Sequence, residues 1–218
     1  MSVHLQRQIE KLKHQITALG ERVEATLMTA IQVLERRDAA MADGVIRDDE
    51  EVDRMELEIE EECLHTLALH QPVAADLRYI VSVLKINADL ERIADMSANI
   101  AEQGRFLAYE PPVEPMPFDV RGMAERVVHM LRQALTAMLN SDPNLAEKVR
   151  TADDEIDDMH RQMYEKVEAA MRQRPDAIPS LIHIINISRQ LERIADLCTN
   201  IAEDVIYTAR GKLVRHSH

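Results

Sequence analysis

Two short stretches of this chain carry acidic residues at a spacing that could bind a cation. Residues 90–102 read LERIADMSANIAE and residues 191–203 read LERIADLCTNIAE, so ten of the thirteen positions are identical. In a helix, residues four apart lie on the same face. This places Glu91 beside Asp95 and, in the second copy, Glu192 beside Asp196. Two ionised carboxylates at this spacing repel each other and destabilise a helix by about 0.2–0.5 kcal/mol. The presence of such pairs in both copies therefore indicates a cation-binding role.

A second pair of acids is also repeated. An ungapped offset of 104 aligns residues 21–55 with the second half of the chain. Within this alignment Asp49 and Asp53 are matched by Asp153 and Asp157, again four residues apart. Self-similarity of this extent indicates an internal duplication.

Long helices must position these acids. The chain is rich in helix-forming residues, with only five glycines and 3% aromatic residues, which predicts an all-α fold. Apolar residues recur at helical spacing, and prolines and turn residues separate six helical segments. The predicted helices cover residues 4–36, a segment from the N-cap Asp38 to about Leu69, residues 73–106, a fourth helix before the turn at 141–143, a fifth from that turn to Pro175, and residues 180–210.

The same pattern predicts two tandem three-helix bundles related by duplication. The first bundle is predicted over residues 1–106 and the second over residues 119–210. Residues 107–118 contain four prolines and are predicted to be the linker. Residues 211–218 form a basic tail with two histidines. A lone three-helix bundle buries a limited core, so we expect the halves to pack together.

Hairpin geometry predicts that the acids of each half meet. If the second and third helices fold back at Pro72, Asp49 lies level with Asp95, and Asp53 with Glu91. If the fifth and sixth helices fold back at Pro175, the acids of the second half also lie at matching heights on the two helices. We call these sets the first acid cluster (Asp49, Asp53, Glu91 and Asp95) and the second acid cluster (Asp153, Asp157, Glu192 and Asp196).

Four carboxylates gathered at one site cannot all stay ionised and unpaired. All-oxygen ligand sets suit Mg²⁺, Ca²⁺, Mn²⁺ or iron, and carboxylates can bridge several ions into a multinuclear cluster. Two alternatives stay open at this point. The acids could simply form solvated helix faces, or the neighbouring Arg92 and Arg193 could neutralise them through local ion pairs.

A different metal site is less well supported. Glu62 and His65 have the Glu-x-x-His spacing of di-iron oxidase bundles, but the equivalent residues in the second half are Lys166 and Ala169. The sequence contains no Ser/His/Asp arrangement, glycine-rich phosphate loop or CxxC motif that would indicate catalysis. Three function classes therefore remain: a signalling adaptor, a carboxylate-bridged metal-storage protein or metal-dependent enzyme, and a purely structural helical scaffold.

Charge and hydropathy restrict the kinds of partner that the protein can bind and the compartment in which we expect it. The formal net charge of −13 argues against nucleic-acid binding and favours cations or basic protein surfaces. No apolar run approaches the length of a membrane span, and the polar first residues do not form a signal peptide. We therefore expect a cytoplasmic protein.

Three segments carry a resemblance to a known family. The run HQPVAADLRYIVSVLKINADLERIADMSANIAE at 70–102, its echo IINISRQLERIADLCTNIAEDVIY at 184–207, and the opening HLQRQIEKLKHQITALGERVEATLMTAI are similar to the PhoU family of phosphate-signalling proteins. The resemblance covers essentially the whole chain.

This resemblance implies a non-enzymatic regulator. PhoU proteins are tandem three-helix bundles, often homodimers, that bind metal clusters through Glu/Asp-x-x-x-Asp motifs. Those motifs match the two acid clusters of this chain, with iron, zinc, manganese, magnesium or calcium as candidate ions. The family acts as a negative regulator of the phosphate regulon and of phosphate uptake. It connects the ATPase subunit of the phosphate transporter to a sensor histidine kinase, through peripheral association with these membrane complexes.

Overall fold

The computed structural model describes residues 3–211 and is all-helical over that range. A single 3₁₀ turn, Pro175–Ala177, precedes the last helix of this segment. The α-helices are α1 (Val3–Arg36), α2 (Ala39–His70), α3 (Ala74–Tyr109), α4 (Val120–Asn140), α5 (Pro143–Gln173) and α6 (Ile178–Arg210). The predicted basic tail lies outside the described residues, apart from Gly211.

The starts of α2 and α5 show the duplication at atomic detail. The Asp38 carboxylate accepts hydrogen bonds from the backbone N–H groups of Ala40 and Met41, at 3.0 and 3.1 Å. Asp142, which aligns with Asp38, accepts the equivalent pair at the start of α5, at 2.9 and 3.1 Å. Such N-caps each stabilise a helix by about 1 kcal/mol. The prediction that Asp38 caps the second helix is confirmed.

Two helix ends differ by two or three residues from their predicted positions of about Phe106 and about Ser180. Helix α3 continues to Tyr109 instead of ending at 106, because the first proline that stops it is Pro111; Glu110, just before that proline, is extended. The Arg37 guanidinium donates to the carbonyl oxygens of Leu107 and Glu110 and so satisfies this helix end. Helix α6 begins at Ile178, before Pro179, since a proline in the first turn removes no helical hydrogen bond. The domain boundaries themselves stay a prediction.

The six helices form two three-helix bundles that pack side by side. Helices α1, α2 and α3 contact one another, as do α4, α5 and α6. The halves join where α3 packs along α6 and where α1 packs on α4. On α1, Gly20 allows this close approach, because a Cβ atom there would lie 2.6 Å from Leu135 of α4. Among the described helices, α2 and α5 contact only members of their own half.

The core is aliphatic, and it aligns the hairpins that carry the acids. Leu90 and Ile93 of α3 are fully buried next to the acids of that helix. Their counterparts Leu191 and Ile194 of α6 are buried to the same extent. The apolar stripe therefore fixes the rotation of both helices, and the acids fall at the edge of the buried face. Within residues 3–211, no helix is both long enough and apolar enough to cross a membrane.

Candidate metal centre

The first acid cluster forms where α2 and α3 run antiparallel. Carboxylate oxygens of Asp53, Glu91 and Asp95 all lie within 4.8 Å of one another. Asp49, one turn earlier on α2, is close enough to Asp95 and Asp53 for their charges to raise its pKa. The prediction that these acids lie at the same height on α2 and α3 is therefore confirmed. The binding of a metal there stays a prediction.

The second acid cluster lies between α5 and α6, where its carboxylates act on one another, although no three of them come within 4.8 Å of one another. Burial and then the charges of Asp196 and Asp157 raise the pKa of Asp153 to about 7. Burial, followed by the same two neighbours, raises the pKa of Glu192. The charge of Asp157 also reaches Asp196, whose pKa is raised chiefly by burial. All four predicted acids of this half thus share one site.

Each cluster has a buried end and an exposed end. Asp49 and Asp153 are half-buried, and burial is the largest cause of their raised pKa values, about 6 for Asp49 and about 7 for Asp153. Asp53 and Asp157, one turn further along, are exposed. The inner carboxyls are therefore held in surroundings that disfavour their ionised form.

The inner acids also supply a test of whether the site fits a cation. The Oδ1 atoms of Asp49 and Asp153 are buried from solvent and accept no hydrogen bond. A buried carboxylate oxygen without a donor is costly, and the same orphan occurs at equivalent positions in both halves. A metal ion bound by the cluster would satisfy these oxygens, so the residues fit the group that the sequence predicted.

Local arginines do not neutralise the clusters. Arg92 Nη1 lies 3.5 Å from Asp89 of its own helix, and Arg92 is only the smallest influence on the pKa of Glu91, which is still raised. Arg193 lowers the pKa values of Glu192 and Asp196, yet burial and the neighbouring acids outweigh it. The ion-pair alternative is therefore inconsistent with the electrostatics of the site.

The rival Glu62 and His65 pair is committed elsewhere. Glu62 forms an ion pair with Lys11 of α1. Among the described residues, the one trio of acids, histidines or cysteines whose ligand atoms all lie within 4.8 Å of one another is Asp53, Glu91 and Asp95. The di-iron motif is therefore not assembled.

Sequence reasoning missed a pair of hydrogen-bonded residues beside each cluster. In the first half Glu56 accepts a 3.2 Å hydrogen bond from Asn87 Nδ2, and its charge reaches Glu91. In the second half the equivalent positions hold His160 and Ser188, whose Nδ1 and Oγ atoms are 2.9 Å apart. An offset of 104 relates Glu56 to His160, and an offset of 101 relates Asn87 to Ser188. The same two offsets relate the acids, so the internal repeat identifies these positions as equivalent. The two centres therefore differ in the side chains that support them.

The fold and the site together define a class: a duplicated all-helical protein with one carboxylate cluster between the second and third helices of each half. The PhoU domain model matches residues 16–104 and 120–205, once for each half. The chain belongs to the PhoU family.

Relatives and solved structures agree over nearly the whole chain. A phosphate-specific transport system accessory protein PhoU homolog from Aquifex aeolicus is 34% identical over 97% of this chain and 96% of its own length. A homolog with the same description from Pseudomonas aeruginosa is 35% identical over 99% of this chain and 89% of its own.

Two solved structures share the fold. The crystal structure of PhoU from P. aeruginosa superposes with a TM-score of 0.91 and 34% identity, covering 95% of this chain and 99% of that one. The crystal structure of the phosphate transport system regulatory protein PhoU from Streptococcus pneumoniae gives a TM-score of 0.89 at 28% identity, covering 96% and 99%.

Proposed function

We propose that this protein is a cytoplasmic negative regulator of phosphate uptake and of the phosphate regulon. In this role it links the ATPase subunit of the phosphate transporter to the sensor histidine kinase and favours the signal-off state of the kinase when phosphate is ample. It acts as a homodimer, associates peripherally with the membrane complexes, and performs no catalysis itself.

The observation that carries this proposal is the near full-length similarity to accessory and regulatory proteins of phosphate transport. The names of those relatives describe an accessory and a regulatory function, not an enzyme. The net charge of −13 supports docking on basic surfaces of protein partners.

We also propose that both acid clusters bind divalent or trivalent metal ions. The orphaned oxygens of Asp49 and Asp153 support this part of the proposal in both halves, and the close approach of Asp53, Glu91 and Asp95 supports it in the first. A bound ion would offset the repulsion within each cluster and fasten α2 to α3, or α5 to α6. If one arrangement of the bundles binds metal better, loading shifts the population toward it by the difference in affinity.

Gene deletion tests the regulatory role. In a strain that lacks the gene, we expect alkaline phosphatase to be expressed constitutively in high phosphate, and wild-type protein to restore repression. Asp153→Asn is the informative variant, with the exposed Asp158→Asn on the same helix as its matched control. Normal repression in the deletion strain would exclude the regulatory role. Equal repression by both variants would show that Asp153 of the second acid cluster is not needed for it.

Metal analysis tests the clusters directly. After extensive dialysis, we expect bound metal in the wild type and about half as much when Asp53, Glu91 and Asp95 are replaced by Asn, Gln and Asn. The equivalent changes at Asp157, Glu192 and Asp196 should remove the other half. Negligible metal in the wild type would refute the proposed centres.

A further inference from the structure

The second acid cluster opens into a groove that helical periodicity alone does not predict. The groove encloses about 860 Å³ and is bordered by three helices, α3, α5 and α6, so that both halves of the molecule contribute to it. The residues that matter here are Lys85, Arg92, Arg150, Asp153, Asp196 and Thr199. Acids of the second cluster therefore share one groove with three basic side chains.

Ion pairs hold the basic side chains in place but do not use all of their N–H donors. Lys85 Nζ lies 3.1 Å from the buried carboxylate of Asp204. Arg150 Nη1 lies 2.9 Å from Glu147, and Arg150 Nε lies 3.7 Å from Glu203 Oε1. An arginine carries five N–H donors in a fixed planar fork, so these contacts leave donors for a further ligand.

Three polar atoms in the groove make no hydrogen bond although they are buried: Arg150 Nε, Asp153 Oδ1 and Thr199 Oγ1. One is a donor, one is an acceptor, and the hydroxyl can act as either. Unsatisfied buried groups of both kinds in one groove indicate a ligand that accepts hydrogen bonds together with a cation that the carboxylate binds.

The first half lacks this combination. By the repeat offsets, Ile46 stands at the position of Arg150, Ala98 at that of Thr199, and Asn186 at that of Lys85. The acids are duplicated, but these basic and hydroxyl groups are not. The two clusters therefore differ in what they can hold beside a metal ion.

We propose that the groove is an oxyanion site, in which a phosphate group is held between a divalent cation on the second acid cluster and the side chains of Arg150, Lys85 and Thr199. This inference rests on the proposed metal centre, because the groove without a cation is too acidic to attract an anion. A divalent ion at Asp153 and Asp196 reverses the local charge and presents a positive surface to the phosphate oxygens. Arginine and lysine then supply charge-assisted hydrogen bonds, which are the strong ones.

Equilibrium dialysis of the full chain with Mn²⁺ and radiolabelled inorganic phosphate tests the site. Bound manganese is measured first, and phosphate binding is measured on the same samples with and without EDTA. We expect phosphate to bind to the manganese-loaded protein and not to the EDTA-treated protein. A parallel arm with ATP as competitor distinguishes free phosphate from the phosphoryl groups of a nucleotide.

Variants taken from the first half provide matched changes. Arg150→Ile should weaken phosphate binding about tenfold or more, since it removes charged hydrogen bonds. Thr199→Ala should weaken it about fivefold. Arg161→Ile, which removes an exposed arginine elsewhere on α5, should leave it unchanged. Thermal melts check that each variant is folded. If Arg150→Ile does not fold, Thr199→Ala still tests the site.

The outcomes separate the inference from the metal proposal. Manganese binding without phosphate binding would overturn the oxyanion site alone. Phosphate binding that survives both Arg150→Ile and Thr199→Ala would overturn it as well. Absence of bound manganese would refute both proposals. At saturating Mn²⁺, replacing Asp53, Glu91 and Asp95 in the first cluster should leave phosphate binding intact, and loss of binding in that variant would contradict the assignment to the second.

Discussion

Neutralising Asp153 should stabilise the metal-free protein. Burial and neighbouring acids raise the pKa of this carboxyl to about 7, so at pH 8 the folded state holds it ionised where the ionised form is disfavoured. Taken at full value, this raised pKa corresponds to about 4 kcal/mol of lost stability at pH 8. Because the carboxylate borders an open groove and is partly screened by water, we expect Asp153→Asn to gain ~1–2 kcal/mol.

The stabilisation by Asp153→Asn should decrease as the pH falls. A carboxyl with a raised pKa binds its proton more tightly in the folded state than in the unfolded state. Its penalty is therefore fully present above pH 7, declines as the pH falls, and vanishes below the ordinary pKa of an aspartate, about 4. Asp153→Asn should thus stabilise most at pH 8 and less at pH 5.

Thermal unfolding followed by circular dichroism in EDTA measures this directly. The expected gain corresponds to an increase in Tm of about 2–8 °C at pH 8. Asp158→Asn is the control, because Asp158 is exposed and paired with Arg161 at 2.9 Å; its effect should stay within about 0.5 kcal/mol. Equal Tm values for the two variants at pH 8, or a gain for Asp153→Asn that grows as the pH falls, would refute the reasoning.

Added Mn²⁺ should reverse the order of stability. If both proposed centres bind Mn²⁺, the wild type gains stability from an ion that binds only the folded state, whereas Asp153→Asn lacks a ligand oxygen at one of the two centres. An undiminished manganese-induced increase in Tm for Asp153→Asn would mean that this carboxylate takes no part in metal binding.

Other predictions concern packing and the seam between the halves. Gly104→Ala should destabilise by about 1–3 kcal/mol, because its Cβ would lie 2.8 Å from Leu34. Gly44→Ala, where a Cβ meets nothing within 4 Å, should stabilise by about 0.5–1 kcal/mol; opposite signs in denaturant titrations of the pair are the check, and like signs would contradict the packing. Asp204→Ala should cost about 2 kcal/mol in the same assay, since it leaves Lys85 without its buried partner; no change would mean that the pair contributes nothing.

Helical periodicity and prolines were sufficient to predict the six helices and the meeting of the acids. The reason is that both features are local: the spacing of Glu91 and Asp95 fixes their helix face, and a turn near Pro72 fixes the height of Asp49 opposite them. The prediction places the end of α3 too early, because residues 107–109 precede the first proline of the linker and continue the helix.

The groove was beyond prediction for a different reason. Its walls come from α3 in one half and from α5 and α6 in the other, and the contact of α3 with α6 depends on side-chain shape over a large sequence separation. Periodicity carries no information about such contacts. Comparison of the two copies position by position would have shown Arg150 and Thr199 as departures from the repeat, but not that they lie together.

The order of the helices across the molecule has a consequence for how ions bind. Contacts run from α2 to α3, from α3 to α6 and from α6 to α5, so the acid clusters lie at the two outer junctions of a four-helix row. Packed interiors resist compression, and drawing α3 toward α2 therefore alters its fit against α6. If both clusters bind metal as proposed, occupancy of one centre changes the affinity of the other, and by linkage the effect is equal in both directions. Metal titrations of this protein should show cooperativity between the two halves.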